Sequence, residues 1–277
     1  MQKLKKLQKY QEHIIRYALV FLFVATLFVL KPDHLDILYH NNIANAMSEE
    51  KKTIVITELN VPILTYHQVR ELKTADSDKA KRFIVTPEKF EIEMKRLYDQ
   101  GYQSIGLDEL LEAFDKNNLP AKPIIITFDD GYKSQYENAL PILEKYNMKA
   151  TFFVYTLALD YLGISMTWDQ VKDLDRRGMT IAGHTKTHPR LTLILDSTEL
   201  YDEIQNSKTI IEGKLGHDIK YFAYPYGMNN ERVRNEVEAS GYKAAVTVEE
   251  GLVQSKNNLF KLKRFNMNTD REMNFIE

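Results

Sequence analysis

The chain has no cysteine among its 277 residues. That excludes disulfides, thiolate zinc sites, cysteine nucleophiles and a lipidated N-terminal Cys together. It also lacks a charge excess: 37 Lys and Arg face 39 Asp and Glu, a formal net charge of −2. Basic residues form no long patch beyond the N-terminus, so no nucleic-acid partner is expected. Histidine is scarce, and past residue 46 only His67, His184, His188 and His217 remain. Internal repeats and low-complexity segments are absent. With 44% hydrophobic and 27% charged residues, the chain is long enough for one large domain with a substantial core.

No hydrophobic run reaches the roughly 20 residues needed to span a bilayer. The nearest, Tyr17 to Leu30, follows Lys3, Lys5, Lys6 and Lys9 and has the order of an export signal. Ala44 and Ala46 offer small residues for cleavage, but the long stretch before them also suits an uncleaved membrane anchor. Residues 1–46 therefore read as signal peptide or anchor, and residues 47–277 as one domain outside the cytoplasm, secreted or membrane-tethered.

From Thr53 onward, short β-rich runs alternate with helical patterns. Strands are expected at 61–66, 102–105, 123–128, 149–155, 179–183, 220–224 and 243–248, and helices at 87–100, 107–115, 134–146, 168–177, 197–215 and 230–240. Asp196 with Glu199 resembles a capping box, Thr167 caps the helix opening at Trp168, and Gly101, Gly178 and Gly241 fall just past helical stretches. The polar stretch 70–82 reads as a surface loop. Seven strands alternating with helices, several of them continuous apolar runs, predict an α/β fold with a parallel sheet covered on both sides. Both a (β/α) barrel and a doubly wound sheet satisfy this, and both collect chemistry at the carboxyl ends of strands.

Polar residues line up at those ends. Tyr66-His67 follows the first run, Asp129-Asp130-Gly131 the third, His184 the fifth and Pro225-Tyr226-Gly227 the sixth. His184 and His188, four apart and followed by Pro189, suit one helical turn that presents both imidazoles to a single ion. Two adjacent carboxylates repel, and burying them is costly unless a cation or hydrogen bonds compensate. One Asp completing a two-His, one-carboxylate site while the other stays off the metal as a base resolves that conflict. The bland alternative, that Asp130-Gly131 is a turn, leaves Asp129 unexplained. Tyr132, Tyr224 and Tyr226 lie close enough to the motifs to contact sugar rings, whereas Trp168 suits either a sugar platform or a packing residue, with packing favoured.

The motifs "TFDDGY", "HTKTHP" and "YPYG", in that order, resemble those of the polysaccharide deacetylase family (NodB-homology domain, carbohydrate esterase family four), over about residues 60–270. The resemblance implies a distorted (β/α) barrel of about seven strands that removes N-acetyl groups from sugar polymers with one divalent metal ion. It makes Asp129 the base, Asp130, His184 and His188 the metal ligands, and the Tyr226 backbone N–H an oxyanion donor. Zinc is the first candidate, and the ligand set also accepts Co, Ni or Fe.

The chain departs from the family pattern twice. Where many members carry an Arg two residues before the third-motif proline, this chain has Ala223, and Arg264 is the candidate replacement. No histidine follows His217 to supply the usual proton donor. His67, after the first strand, fills that role if first and last strands are neighbours in a closed barrel. The arrangement resembles the branch acting on poly-β-1,6-N-acetylglucosamine. The reading is thus an extracellular, monomeric enzyme with a polysaccharide substrate and membrane contact through its N-terminal segment. Rival readings are a peptidoglycan or chitin-oligomer deacetylase, an O-acetyl esterase and a non-catalytic sugar-binding protein.

Overall fold

The computed structural model describes residues 56–161 and 163–274. The N-terminal export or anchor segment lies outside the described residues. Among the described residues, no helix is long and apolar enough to cross a membrane. Contacts divide the chain into Met1–Ile54 and Val55–Glu277, and everything below concerns the second unit.

Among the described residues twelve strands follow one another: β1 (Glu58–Asn60), β2 (Ile63–Tyr66), β3 (Gln68–Val69), β4 (Ile84–Val85), β5 (Gln103–Ser104), β6 (Pro123–Phe128), β7 (Thr151–Val154), β8 (Thr180–Gly183), β9 (Tyr221–Ala223), β10 (Ala244–Val246), β11 (Val253–Ser255) and β12 (Phe265–Asn266). The main sheet runs β10-β9-β8-β7-β6-β2-β12 with β5 beside β6, and every pairing in it is parallel. Residues 262–266 lean first on β10, where Leu262 N–H donates to Ala245 O, and then on β2, where Phe265 pairs with Leu64. This one bent segment draws the two ends of the path together, giving a curled, part-closed (β/α) barrel.

Strand alternation explains the core. Ile124, Ile126 and Phe128 of β6 face the surrounding helices, packing with Phe90, Leu143 and Phe152. Ile125 faces inward with Ile63, Phe153 and Ala223, and the helix Leu107–Lys116 closes that side through Leu107, Leu110 and Phe114. Both faces of the strand are apolar because both are covered.

The helices begin where their caps lie. Thr86 accepts from Lys89 N–H with Pro87 in the first turn, Thr167 and Gln170 form a capping box, and Asp196 accepts from Thr198 and Glu199 N–H. Gly101, Gly178 and Gly241 all adopt positive φ. Trp168 is 9% exposed in the core, with Lys214 over its ring.

Within these elements the structure adds detail that the sequence reading did not carry. The expected helices 134–146 and 197–215 each contain a π-turn, at Gln135–Ala139 and Asp202–Asn206. The stretch 70–82 holds a one-turn helix, Asp78–Lys81, and an Arg70–Asp76 ion pair at 2.8 Å. The barrel position after β10 is taken by β12, a strand of two residues, too short to register as a periodic pattern.

Candidate active site

Four loops at the carboxyl ends of β2, β6, β8 and β9 converge on a cleft of about 620 Å³ whose lining includes His67, Asp129, Asp130, His184, His188 and Tyr226. The inward-facing series on β6 runs Ile125, Thr127, Asp129, so Asp129 enters the barrel interior. Asp130 then takes a left-handed backbone (φ 73) followed by Gly131 (φ 67), which turns its carboxylate toward the histidines. The two acids are adjacent in sequence but serve different partners.

Asp129 is held by Arg264. Nη1 donates to Oδ1 at 2.8 Å and Nη2 to Oδ2 at 2.7 Å, while Nε donates to Thr247 O and Nη1 also to Thr127 Oγ1. Burial pushes the Asp129 pKa up, but the guanidinium's charge and hydrogen bonds, with His184 and His67, bring it below the ordinary carboxylate value. Arg264 reaches this point because it lies on the bent segment that bridges β10 and β2.

Asp130 Oδ1 lies 3.4 Å from His184 Nε2 and 3.2 Å from His188 Nε2. The ligand atoms of all three residues fall within 4.8 Å of one another. Donor atoms at that spacing can share one tetrahedral ion at about 2.0–2.1 Å from each. The chemistry of the set fits as well. His184 Nδ1 donates to Ala223 O at 2.7 Å, which fixes the tautomer and leaves Nε2 with its lone pair for a cation. The position that lacks the expected Arg therefore orients a histidine through its backbone.

The histidine pair does not lie on a helical turn as expected. Residues 184–188 form an irregular loop in which Thr185 (φ 69) and His188 (φ 64) are left-handed. Pro189 disfavours α-helical backbone at the residue before it, and His188 N–H instead donates to Thr185 Oγ1 at 2.9 Å. The carbonyls of Thr185 and Lys186 accept from Thr156 and Leu157 N–H, the turn that follows β7.

Tyr226 also has positive φ (60), and its ring stands edge-on to His188 at 4.7 Å with the Arg190 guanidinium 5.4 Å from its centroid. Gly227 (φ 68) permits this turn, since a Cβ there would meet Val248 Cγ2 at 2.3 Å. Tyr132 lines the cleft, and Tyr226 is 55% exposed beside it. Tyr224 also lines the cleft but is 1% exposed, with its hydroxyl donating to Phe260 O.

His67 lines the same cleft, its ring edge-on to Phe83 at 4.8 Å. Its Nδ1 is buried without a hydrogen-bond partner among the described residues. Burial lowers its pKa, against the opposing pull of Asp130 and Asp129. Sequence reasoning missed Thr127, which accepts from Arg264, Gln135, which donates to the His67 and Asp129 carbonyls, and Glu203, which holds the loop between His184 and His188 through Lys186 and Thr187. A buried polar residue on an otherwise apolar helix face was the signal available for the last two.

The sequence model described as "Polysaccharide deacetylase" matches residues 116–245. The chain is 31% identical over 205 residues to the Bacillus subtilis (strain 168) protein named "Putative polysaccharide deacetylase YxkH", covering 74% of this chain and 70% of that one. It is 25% identical over 272 residues to a poly-β-1,6-N-acetyl-D-glucosamine N-deacetylase of Staphylococcus aureus (strain MRSA252), covering 91% and 93%. Among solved structures, the Streptococcus pyogenes deacetylase PplD in complex with acetate superposes with a TM-score of 0.71 at 31% identity, over 77% of this chain and 95% of that one.

Proposed function

The chain belongs to the polysaccharide deacetylase family, hydrolases of amide bonds, and from that membership we propose that it removes N-acetyl groups from an extracellular β-1,6-linked N-acetylglucosamine polymer with the help of one divalent cation. The observation that carries the reading is the pairing of Asp130, His184 and His188 with an Arg264-held Asp129 on one cleft that also contains His67. The β-1,6 linkage draws support from the near full-length similarity to the staphylococcal enzyme.

Asp130, His184 and His188 would hold the cation. When bound, it would polarise the acetamide carbonyl and acidify a water, and zinc suits the donors, with Co, Ni or Fe as alternatives. Asp129, kept ionised and oriented by Arg264, takes a proton from the attacking water. The Tyr226 N–H donates to the carbonyl oxygen as it gains negative charge. His67 gives a proton to the departing sugar nitrogen as the C–N bond breaks. The products are acetate and a free amine on the polymer. Outside the cytoplasm, with the N-terminal segment as signal or anchor, a monomeric enzyme of this kind would make the polymer cationic and change its adhesion to anionic surfaces.

The test is acetate release by the metal-loaded protein from β-1,6-linked N-acetylglucosamine oligomers, with β-1,4-linked oligomers and a chelator in parallel. Chelator-sensitive release from the β-1,6 series supports the reading. Release from β-1,4 oligomers alone moves the substrate to chitin or cell-wall glycan, and release from neither series overturns the proposed N-deacetylation of these glycans.

A further inference from the structure

The two π-turns sit directly behind the site, and each presents one buried polar side chain to the backbone of a site loop. Gln135 opens the turn Gln135–Ala139 and is 0% exposed. Its Nε2 donates to His67 O at 2.9 Å and to Asp129 O at 2.5 Å, joining the loop after β2 to the loop after β6. Glu203 lies in the turn Asp202–Asn206 and is 6% exposed. Its Oε2 accepts from Lys186 N–H at 3.0 Å and Thr187 N–H at 2.9 Å, and its Oε1 from the Thr187 hydroxyl at 2.6 Å.

The division of chemistry is consistent. Carbonyls need a donor, and the Gln135 amide offers two N–H groups. Backbone amides need an acceptor, and the Glu203 carboxylate offers only acceptors. Lys186 and Thr187 are part of the loop between His184 and His188, whose left-handed residues hold only if the surroundings fix them. A π-turn inserts a residue into the helix and so re-aims a side chain that regular helical geometry would point elsewhere, and such turns are frequent at functional sites.

Building on the cation-site reading above, we infer that Glu203 and Gln135 are positioning residues with separate duties. Glu203 sets the spacing of His184 and His188 and thereby cation affinity. Gln135 sets the position of His67 relative to Asp129 and thereby proton transfer, without touching the cation site. Neither residue contacts substrate.

The test compares full-length wild type with Glu203→Ala, Glu203→Gln, Gln135→Ala and Gln135→Glu, each checked for folding by circular dichroism. Zn²⁺ affinity is measured by competition with a chromophoric chelator, and kcat and KM on whichever oligomer the wild type hydrolyses. Glu203→Ala is expected to weaken Zn²⁺ binding by about 10- to 100-fold, the usual range for groups that orient metal ligands. Glu203→Gln should recover most of it, because an amide oxygen can accept both N–H groups while its NH₂ donates to the Thr187 hydroxyl. Both Gln135 variants should lower kcat with KM and Zn²⁺ affinity nearly unchanged. Gln135→Glu is expected to be the worse, since it sets a carboxylate against two carbonyl oxygens. Wild-type Zn²⁺ affinity in folded Glu203→Ala overturns the inference, as does Zn²⁺ loss in folded Gln135→Ala. A wild type that binds no stoichiometric Zn²⁺ would instead overturn the cation-site reading on which the inference stands.

Discussion

Arg264 and Asp129, 135 residues apart in the chain, meet in a two-point ion pair with contacts of 2.8 and 2.7 Å, and both side chains are almost wholly buried. The pair joins the last strand segment of the barrel to the end of a central one. Breaking a buried pair by removing one partner strands the other charge, at a cost of about 3–5 kcal/mol.

Arg264→Leu should therefore destabilise the protein by about 3–5 kcal/mol at neutral pH in urea unfolding. In the wild type, the lowered Asp129 pKa contributes stability above the unfolded carboxylate value that is lost as pH falls through the folded one. In Arg264→Leu, burial is the largest remaining influence on Asp129, outweighing the opposing charges of His184 and His67, so its pKa rises and the variant loses stability as pH rises. The gap between the two should narrow toward pH 4. A gap independent of pH would show that lost packing, not charge, explains the change.

Asp129→Asn is expected to lower turnover by about 10²- to 10⁴-fold, the usual contribution of a positioned base, while metal content stays near that of wild type. His184→Ala should lose both metal and turnover, because Nε2 is the ligand atom that the Ala223 hydrogen bond sets free. Elemental analysis of the purified variants alongside acetate release separates the two. Wild-type rates in both would mean the site is elsewhere.

The pH profile of kcat/KM reports His67. A proton donor must be charged, and burial lowers its pKa from the ordinary imidazole value of about 6.5. Activity should thus fall as pH rises through a value below that figure. The His67→Ala variant should be slower by about 10²-fold or more and should lack this limb. An unchanged limb in the variant would transfer the donor role to another group.

Glu93 is a titratable group in the core, with its carboxylate accepting from the Tyr66 hydroxyl at 2.7 Å. Burial, outweighing Tyr66 and Lys89, pushes its pKa up to about 7. Because the folded state then binds the proton more tightly than the unfolded state, stability is lost as pH rises from the unfolded carboxylate value toward and past 7. The loss is on the order of 3 kcal/mol. Glu93→Gln keeps an acceptor for Tyr66 and removes the titration, so its unfolding free energy should overtake that of wild type between pH 4.5 and 8. Parallel pH curves for the two proteins would refute the effect.

Much of this molecule was legible before any coordinates. The run Pro123–Phe128 matched its strand end to end, Thr167 capped its helix as expected, and His67, Asp129, Asp130, His184, His188 and Tyr226 all line one cleft. These are local properties: an apolar run covered on both faces, a side-chain oxygen three residues before a free N–H, and polar residues placed at strand ends. Where competition between neighbours decided, the reading failed. Residues His184 to His188 have helical spacing, but Pro189, the Thr185 hydroxyl and Glu203 draw the backbone into an irregular loop.

The amino-acid order by itself determined the alternation of strands and helices, the parallel sheet and the residues able to carry the chemistry, because each depends on spacing along a few consecutive positions. Tertiary structure alone decided which residues act on one another. Arg264 reaches Asp129 only because residues 262–266 bend from β10 to β2. Gln135 and Glu203 reach the site loops from two π-turns in helices that read as regular. Such contacts join positions far apart in the chain, and no periodicity records them.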